Sequence, residues 1–415
     1  MKNFAFLRFV AASGLTNLAD GIATVAWAWL ASLITRDPVL IAVVPIALRL
    51  PWFLCAIPAG IATDRVDRKR LIQSMDMLRA IAFLVVGIAV WRAVPLAPPA
   101  ATGLSDPLLY GMMLAAAGIV GVAEVFRDNA AQTMLPSIVS HDQLEKANGR
   151  LWSVELVGNA LLGPAVGALL IGWALAAPFA LNALAYGAAI VLVWPMMGTF
   201  RPAARRARNW REEIAEGFAF LTSAPLLRAL AWITGFWNLL FQMVIIALVL
   251  HVQENLGLGA GAYGLILAAG AVGGIAGGWW GEAIIRRLGQ KRAAQWMLAA
   301  SAPAFLAIAF MPSGLTLGIV LALFEFTGLV WNTVSVSYRQ RIIPDALLGR
   351  VNSLYRLMAW GMMPVGLLAS GLCVRLSDGL LSRNLALISP FLVAFVGAVV
   401  LAVVGWRALG QGFDT

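Results

Sequence analysis

The sequence has little charge, few cysteines and histidines, and no phosphate-binding loop. Only 12% of its 415 residues are charged, about half the share in soluble proteins, whereas 61% are hydrophobic. No soluble fold would bury so much apolar surface, which excludes that class. The two cysteines, Cys55 and Cys373, lie inside apolar runs, where an inert buried thiol is expected rather than a disulfide or metal ligand. With only two histidines, neither a metal site nor a cofactor is predicted.

The sequence also lacks the motifs of nucleotide-driven and catalytic proteins. It has no G-x-x-x-x-G-K-[ST] motif, and its G-x-G-x-x-G at residues 259–264 follows an apolar segment instead of a strand. The net charge of +10 does not indicate nucleic acid, because the bases are not gathered on one polar domain. Without a catalytic cluster, the chain is not expected to be an enzyme.

Apolar segments of about 20 residues, each long enough to cross a membrane as a helix, recur along the chain. They cover residues 6–34, 38–62, 71–91, 107–128, 149–172, 175–198, 227–250, 261–284, 293–312, 315–338, 353–376 and 385–407. The sequence therefore predicts an all-α polytopic membrane protein with twelve transmembrane helices. Residues 1–200 and 227–415 are expected to form two pseudo-symmetric six-helix bundles, and residues 201–226 an amphipathic cytoplasmic linker.

The distribution of bases predicts the orientation, because Lys and Arg accumulate in short cytoplasmic loops. With the N-terminus inside, 25 bases fall on the cytoplasmic side and four outside. Both termini are therefore expected in the cytoplasm, and the chain in the plasma membrane, most simply a bacterial inner membrane.

A charged loop at residues 60–70, GIATDRVDRKR, joins the second and third spans. An imperfect copy lies 218 residues downstream and repeats the order Gly, acid, base, base, which indicates two homologous halves. The first copy resembles the loop signature of the major facilitator superfamily, G-x-x-x-D-R-x-x-R-[KR]. Its residues are Gly60, Asp64, Arg65, Arg68 and Lys69, and the second copy contains Gly278, Glu282, Arg286 and Arg287.

We interpret the charged loop as a gating latch. The fourth span runs from outside to inside, so Arg127 and Asp128 reach the level of Asp64 and Arg68, where ion pairs between the two segments are geometrically reasonable. Such contacts would hold one conformation of the two halves and break in the other. The alternative is that these charges only set the membrane topology.

Ionisable residues inside the spans are candidates for function, because burying each in a membrane costs about 2.5 to 3.5 kcal/mol. Asp20 and Arg49 both lie roughly 20 Å from the cytoplasmic end of their spans, which allows them to pair. In facilitators, spans one, four, seven and ten line the central cavity. The resemblance therefore places five residues along the substrate path: Asp20, Glu124, Asn238, Gln242 and Glu325.

A carboxylate removed from water favours its neutral form, so Asp20 and Glu325 are candidates for proton exchange. The alternative to proton exchange at Asp20 is a static ion pair with Arg49 that holds two helices together. Glu325 has no obvious partner in its own span and is therefore the better candidate. Trp237 is held as a possible stacking surface for an aromatic substrate.

The fifth span carries a further resemblance. Gly163, Pro164 and Gly167 are similar to the G-P-x-x-G-G signature of the superfamily's antiporters, with Ala168 in place of the last glycine. Ordinary helix packing would also explain these small residues. The stretches at residues 17–21 and 342–354 resemble the drug and siderophore exporter branch, which includes macrolide and enterobactin exporters.

This resemblance implies a secondary transporter that exports a small organic molecule in exchange for protons by alternating access. Its expected partners are that substrate, protons and the lipid bilayer, with no nucleic acid, and the protein is expected to be monomeric. An uptake permease would share most of these features, and a non-transporting membrane receptor is a more distant alternative. Neither the substrate nor the direction of transport follows from the sequence.

Overall fold

A computed structural model describes residues 2–140, 143–198, 200 and 210–414. Within these residues the chain is almost entirely helical. The helices before the linker are α1 (Lys2–Ile34), α2 (Pro38–Leu54), α3 (Ala56–Arg65), α4 (Arg68–Ala93), α5 (Pro107–Met134), α6 (Leu144–Glu155), α7 (Gly163–Trp173) and α8 (Ala177–Val193). Those that follow are α9 (Trp210–Ser223), α10 (Pro225–Leu250), α11 (Ala260–Leu288), α12 (Gln290–Phe310), α13 (Gly314–Ile342), α14 (Asp345–Trp360), α15 (Met363–Asp378) and α16 (Arg383–Asp414).

The prediction of an all-α membrane protein is confirmed. Among the described residues, ten helical segments are long and apolar enough to span a membrane, and the shorter apolar helices α2 and α8 supply the other two spans. Three predicted spans are not uniform α-helices. The second divides into α2 and α3 at Cys55, the fifth passes from α6 to α7 through a π-helical segment, Leu156–Leu162, and the eleventh divides into α14 and α15 after Trp360.

Three helices of the first half have an aspartate as their N-terminal capping residue. Asp37, Asp67 and Asp106 each precede a helix, and their carboxylates accept hydrogen bonds from backbone N–H groups at 2.9, 3.0 and 2.9 Å. Pro38 and Pro107 occupy the first helical position, where a missing N–H costs nothing. These caps fix where α2, α4 and α5 begin.

Contacts between Cα atoms divide the chain into two compact units: Met1–Arg205 with Gly259–Ala268, and Arg206–Leu258 with Ala269–Thr415. In the first unit, α1 packs against α7 and α8, and α4 packs against α5 and α8. In the second unit, α10 packs against α15 and α16, and α12 against α13 and α16. Helix α11 begins in the first unit and continues in the second.

In both units, a glycine allows two helix backbones to approach closely. A Cβ at Gly167 of α7 would lie 2.9 Å from the carbonyl oxygen of Ile22 in α1. In the second unit, a Cβ at Gly235 of α10 would lie 2.7 Å from the carbonyl oxygen of Met358 in α14. The first helix of each six-span set therefore packs tightly on the fifth.

The linker is described only in part. Helix α9 lies within the predicted amphipathic segment, and Leu221 on it is buried against the core of the second unit. Residues 201–209 and the side chains of residues 210–214 lie outside the described part of the chain. The predicted interfacial face therefore remains a prediction.

Candidate functional site

Asp20 lies at the centre of a hydrogen-bonded cluster of three helices in the first unit. The Tyr186 hydroxyl on α8 donates to Asp20 Oδ1 at 2.6 Å. Arg79 Nη2 on α4 also donates to Asp20 Oδ1, and it donates to the Tyr186 hydroxyl at 2.7 Å. The cation that pairs with Asp20 is thus Arg79. Arg49, which the sequence allowed as a partner, lies exposed on α2.

Aromatic packing holds this cluster in position. Arg79 and Tyr186 are fully buried, whereas the Asp20 side chain keeps 19% of its surface exposed. The Arg79 guanidinium lies over the Tyr186 ring, 4.2 Å from its centroid, and Phe83 stacks on the same ring at 5.6 Å. Asn182 donates to the carbonyl of the residue preceding Asp20 at 2.9 Å, which fixes α8 against α1. Asp20 is therefore an accessible carboxylate on a rigid support.

The cluster continues through buried charges toward the C-terminal end of α5. Asp76, one turn before Arg79 on α4, has Oδ1 3.9 Å from Arg79 Nη1 and 3.6 Å from Arg127 Nε. Arg127 Nη1 in turn contacts Asp128 Oδ1 at 3.2 Å. These five side chains alternate in sign, and we call them the charge chain: Asp20, Arg79, Asp76, Arg127 and Asp128.

Sequence reasoning missed two members of the charge chain. It assigned no role to Arg79, which is fully buried within α4. It did not single out Asp76, which is also fully buried. The available signal was an acid and a base one helical turn apart at the start of an apolar segment. The spacing of the charges along α4 was therefore a better indicator of buried charged residues than the number of charges.

The charged loop is anchored at the end of the first unit where α5 ends and α4 begins. It ends α3 at Arg65, which is exposed, and Arg68 begins α4. Arg68 Nη1 donates to the Thr133 carbonyl near the end of α5 at 3.1 Å, and Lys69 Nζ donates to the Met196 carbonyl after α8 at 2.9 Å. The loop thus ties three spans together.

The predicted pairing of the charged loop with α5 is only partly described. Arg127 is 4% exposed and faces Asp76 and Asp128 inside the first unit. The Asp64 side chain lies outside the described part of the structure, so its pairing stays a prediction. In the second copy, Glu282, Arg286 and Arg287 are exposed on α11. The two bases lie in its last turn, where they favourably oppose the helix dipole.

Glu325 in the second unit contrasts with Asp20. It is half-buried on α13, and no ion pair reaches its carboxylate among the described residues. A Cβ at Gly270 of α11 would lie 3.4 Å from Glu325 Cγ, so the neighbouring helix presents a glycine to it. In the first unit, Glu124 on α5 is half-buried and lies within the electrostatic influence of Asp20, Arg49 and Arg79. In the described part of the chain, Glu325 thus differs from Asp20 in having no ion-pair partner.

Trp237 belongs to an aromatic stack that includes Phe324, the residue before Glu325 on α13. Its ring is nearly parallel to those of Phe241 and Phe324, with centroids 5.3 and 5.4 Å away. Trp237 Nε1 donates to the buried Ser301 hydroxyl at 2.9 Å, which fixes the indole plane. Sequence reasoning singled out Trp237 alone. Phe241 one turn later on α10 and Phe324 beside Glu325 complete the stack.

The two polar candidates on α10 have different environments. Asn238 is buried, and its amide donates to the Ala359 carbonyl at 2.9 Å, close to the division between α14 and α15. This bond satisfies a backbone group at a helix break, which is a structural role. Gln242, one turn further along, is half-buried. Of the two side chains, Gln242 is the more exposed.

The span-five signature lies directly against α1. Gly163 and Gly167 both contact the α1 backbone, Gly163 at Gly21 and Gly167 at Ile22. The π-helical segment that ends at Leu162 precedes Pro164. A proline ring clashes with the carbonyl of an ordinary preceding α-turn, and the wider π-turn relieves that clash. The signature thus builds the close contact between spans one and five.

Comparisons with known proteins agree with this architecture. A family model described as "Transmembrane secretion effector" matches residues 1–404. The multidrug efflux pump Tap of Mycolicibacterium fortuitum is 27% identical over an alignment of 427 positions, which covers 96% of this chain and 96% of that protein.

Two solved transporter structures share the fold. A bacterial homolog of the human lysosomal transporter Spinster has a TM-score of 0.75 at 13% identity and covers 100% of this chain and 98% of its own. The nucleoside transporter NupG has a TM-score of 0.72 at 14% identity, with 97% and 98% covered. The family match extends over nearly the whole chain. The protein therefore belongs to the transmembrane secretion effector family of the major facilitator superfamily and is an integral membrane transporter.

Proposed function

We propose that the protein exports a small organic molecule, of the drug or siderophore size class, in exchange for protons by alternating access. The observation that carries this proposal is the contrast between two intramembrane carboxylates. Asp20 is neutralised by Arg79, whereas Glu325 has no charged partner in the described part of the chain. A carboxylate of the second kind can bind either a proton or a cation, which is the exchange an antiporter requires.

The surroundings of Glu325 favour an aromatic cation as the substrate. The Trp237 and Phe324 rings are stacked on each other, and Phe324 directly precedes Glu325 in α13. Aromatic faces attract cations, and a stacked surface suits planar organic molecules of varied structure. In this proposal, Glu325 releases its proton to the cytoplasm when the cation binds and takes one up again from the outside.

The remaining expectations belong to the same proposal. The two bundles, residues 1–200 and 227–415, move relative to each other about a midplane site, joined by the linker at residues 201–226. The charged loop and its second copy act as the cytoplasmic latch. The protein works as a monomer in a bacterial inner membrane with both termini in the cytoplasm. The name and coverage of the Tap relative support export.

The test is a transport assay in inverted membrane vesicles that carry an imposed proton gradient and a pH-sensitive dye. We expect an aromatic cation such as ethidium to dissipate the gradient in parent vesicles and not in Glu325→Gln vesicles. The matched control is Glu216→Gln, which removes an exposed carboxylate on α9. A Glu325→Gln variant that keeps parental proton exchange would contradict the proposed role of Glu325.

Uptake of a metabolite together with protons is the second candidate function. It is distinguished in the same vesicles, because an exporter accumulates labelled substrate inside inverted vesicles when their lumen is acidic. A symporter of the opposite direction would instead release a preloaded substrate from those vesicles under the same gradient. Accumulation of the substrate supports export, whereas release of the preloaded substrate would show that the protein is an uptake transporter.

A further inference from the structure

A cavity of about 600 Å³ lies at the end of the first unit where α1 begins and where α5 and α8 end. Phe4 and Arg8 of α1 form one wall, and Met196, Met197 and Phe200 after α8 form another. Its volume is typical of sites that bind small molecules, which measure roughly 300–1,000 Å³. No member of the charge chain lines it. The cavity is therefore a candidate binding site separate from the Asp20 cluster.

The floor of the cavity is apolar and firmly packed. Ile138, Met196 and Phe200 line the cavity and also belong to the buried core of the first unit. The start of α4 holds the segment after α8 in place. The Arg68 backbone N–H donates to the Phe200 carbonyl at 3.3 Å. Lys69 Nζ donates to the Met196 carbonyl at 2.9 Å. The cavity is thus a preformed feature of the fold.

Three hydrogen-bond donors lie in or beside this cavity. Arg8 is half-buried, its guanidinium lies 4.6 Å from the centre of the Phe4 ring, and it forms no ion pair among the described residues. Ser137 is an exposed lining residue with a free-standing hydroxyl donor. Lys69 has three donors, and one of them is used by the Met196 carbonyl. Guanidinium, ammonium and hydroxyl groups are the donors that bind phosphate.

The residues around the cavity place it at the membrane surface. Trp194, which directly follows α8, is exposed, as are Phe4 in α1 and Met197 on the cavity wall. Exposed tryptophans at the ends of spans are typical of the layer between the lipid chains and water. An amphiphile bound in the cavity therefore has its polar group in the headgroup layer and its chain against apolar side chains.

We propose that this cavity binds an anionic phospholipid of the surrounding membrane. Arg8 and Ser137 contact the phosphate, and the first part of an acyl chain lies against Ile138 and Met197. Basic pockets between transmembrane helices are typical binding sites for anionic headgroups. The proposal does not depend on the transported substrate or on proton exchange.

The charge of the site favours an anionic headgroup over a zwitterionic one. Arg8 lines the cavity, and Arg68 and Lys69 bond to the segment that forms its wall. No acidic residue lines the cavity in the described part of the chain. The choline group of a zwitterionic lipid would thus meet cations without a carboxylate to pair with. A bound lipid also links the start of α1 to the ends of α5 and α8.

The test measures lipid binding to the full-length protein in detergent after its lipids have been removed. Native mass spectrometry gives dissociation constants for phosphatidylglycerol and phosphatidylcholine, both with two oleoyl chains, so that only the headgroup differs. We expect the parent to bind one phosphatidylglycerol at least roughly fivefold more tightly than phosphatidylcholine, because one basic residue contributes about that factor toward an anionic lipid. Equal affinity for the two lipids would mean that any acyl chain fills the cavity, and it overturns the proposal.

Variants of Arg8 test the location of the site. Arg8→Gln should weaken binding of phosphatidylglycerol roughly fivefold and remove its advantage over phosphatidylcholine, whereas Arg8→Lys keeps the charge and should keep the preference. Met197→Glu places an anion at an exposed position of the wall and should also weaken phosphatidylglycerol binding. The matched control is Arg92→Gln, which removes an exposed arginine from the last turn of α4 and should bind as the parent does. A preference that survives both Arg8→Gln and Met197→Glu overturns this site.

Two further measurements use the parent alone and therefore do not depend on the folding of any variant. Phosphatidylglycerol with a photoreactive acyl chain is crosslinked to the protein, and we expect crosslinks at residues 195–200 that unlabelled phosphatidylglycerol suppresses. Crosslinks that are suppressed only elsewhere overturn the site. Glycerol 3-phosphate, which has the phosphate without acyl chains, should not displace the lipid. Displacement would assign the cavity to a soluble phosphate compound instead.

Discussion

The Tyr186 hydroxyl is the most sharply testable part of the Asp20 cluster. It donates to Asp20 Oδ1 at 2.6 Å and accepts from Arg79 Nη2 at 2.7 Å. Tyr186→Phe removes only this oxygen and leaves the ring in its stack with Phe83. The fully buried Tyr186 side chain then loses two hydrogen bonds to charged groups.

The expected cost follows from those two bonds. A hydrogen bond to a charged group contributes about 1.5–3 kcal/mol, and both bonds share one hydroxyl while the direct contact of Asp20 with Arg79 remains. We therefore expect Tyr186→Phe to lower the free energy of unfolding by about 3 kcal/mol. The matched control is Tyr110→Phe, which removes a single bond to the neutral carbonyl of Leu40 at 2.7 Å and should cost about 1 kcal/mol.

Unfolding in mixed detergent and lipid micelles, followed by circular dichroism, compares the two variants. The difference of about 2 kcal/mol corresponds to roughly a 30-fold change in the unfolding equilibrium. If Tyr186→Phe is no more destabilised than Tyr110→Phe, the hydroxyl does not bridge Asp20 and Arg79, and the cluster described above is wrong.

Two further predictions concern packing and surface charge. Gly167→Val should disrupt the contact of α7 with α1 and so reduce both the folded yield and transport. The control is Gly172→Val, where an added Cβ meets nothing within 4 Å, and it should leave both unchanged. The folded yield is measured by size-exclusion chromatography and transport by the dye assay. Arg383→Gln should cost about 1 kcal/mol at low salt, because it breaks partly exposed pairs with Glu254 and Asp378 at 2.9 and 3.0 Å. That cost should largely disappear in 1 M salt, and an equal loss at both salt concentrations would contradict a screened surface interaction.

The spans were predictable because a membrane requires about 20 consecutive apolar residues, a signal that composition alone carries. The breaks within spans were not predicted, although one has a local cause. Pro58 lacks an N–H and cannot donate to the Leu54 carbonyl, so the helix divides at Cys55, just after Leu54. Such breaks depend on a single residue, and they are not visible when hydrophobicity is averaged over about 20 residues.

The charge chain could be predicted only in part. Asp20 was identified because an isolated carboxylate in an apolar segment is costly. Its partner Arg79 lies 59 residues away, and Tyr186 lies 166 residues away, so neither follows from helical spacing. Arg49 was suggested as the partner only because it lies at the same depth as Asp20. Depth does not identify a partner, because many residues share a depth while they face different directions. Pairing between helices needs their rotation about their own axes, which the sequence does not give.

The two buried charges of α4 have a consequence for how the protein is made. Asp76 and Arg79 lie on one face, one turn apart, and their cost in a lone nascent helix is about 2.5 to 3.5 kcal/mol each. Their partners come from α1, which is synthesised earlier, and from α5 and α8, which are synthesised later. The third span is therefore expected to stay beside the translocon until the fourth and sixth have emerged. Biogenesis of the first half would then proceed as one cooperative step instead of one helix at a time.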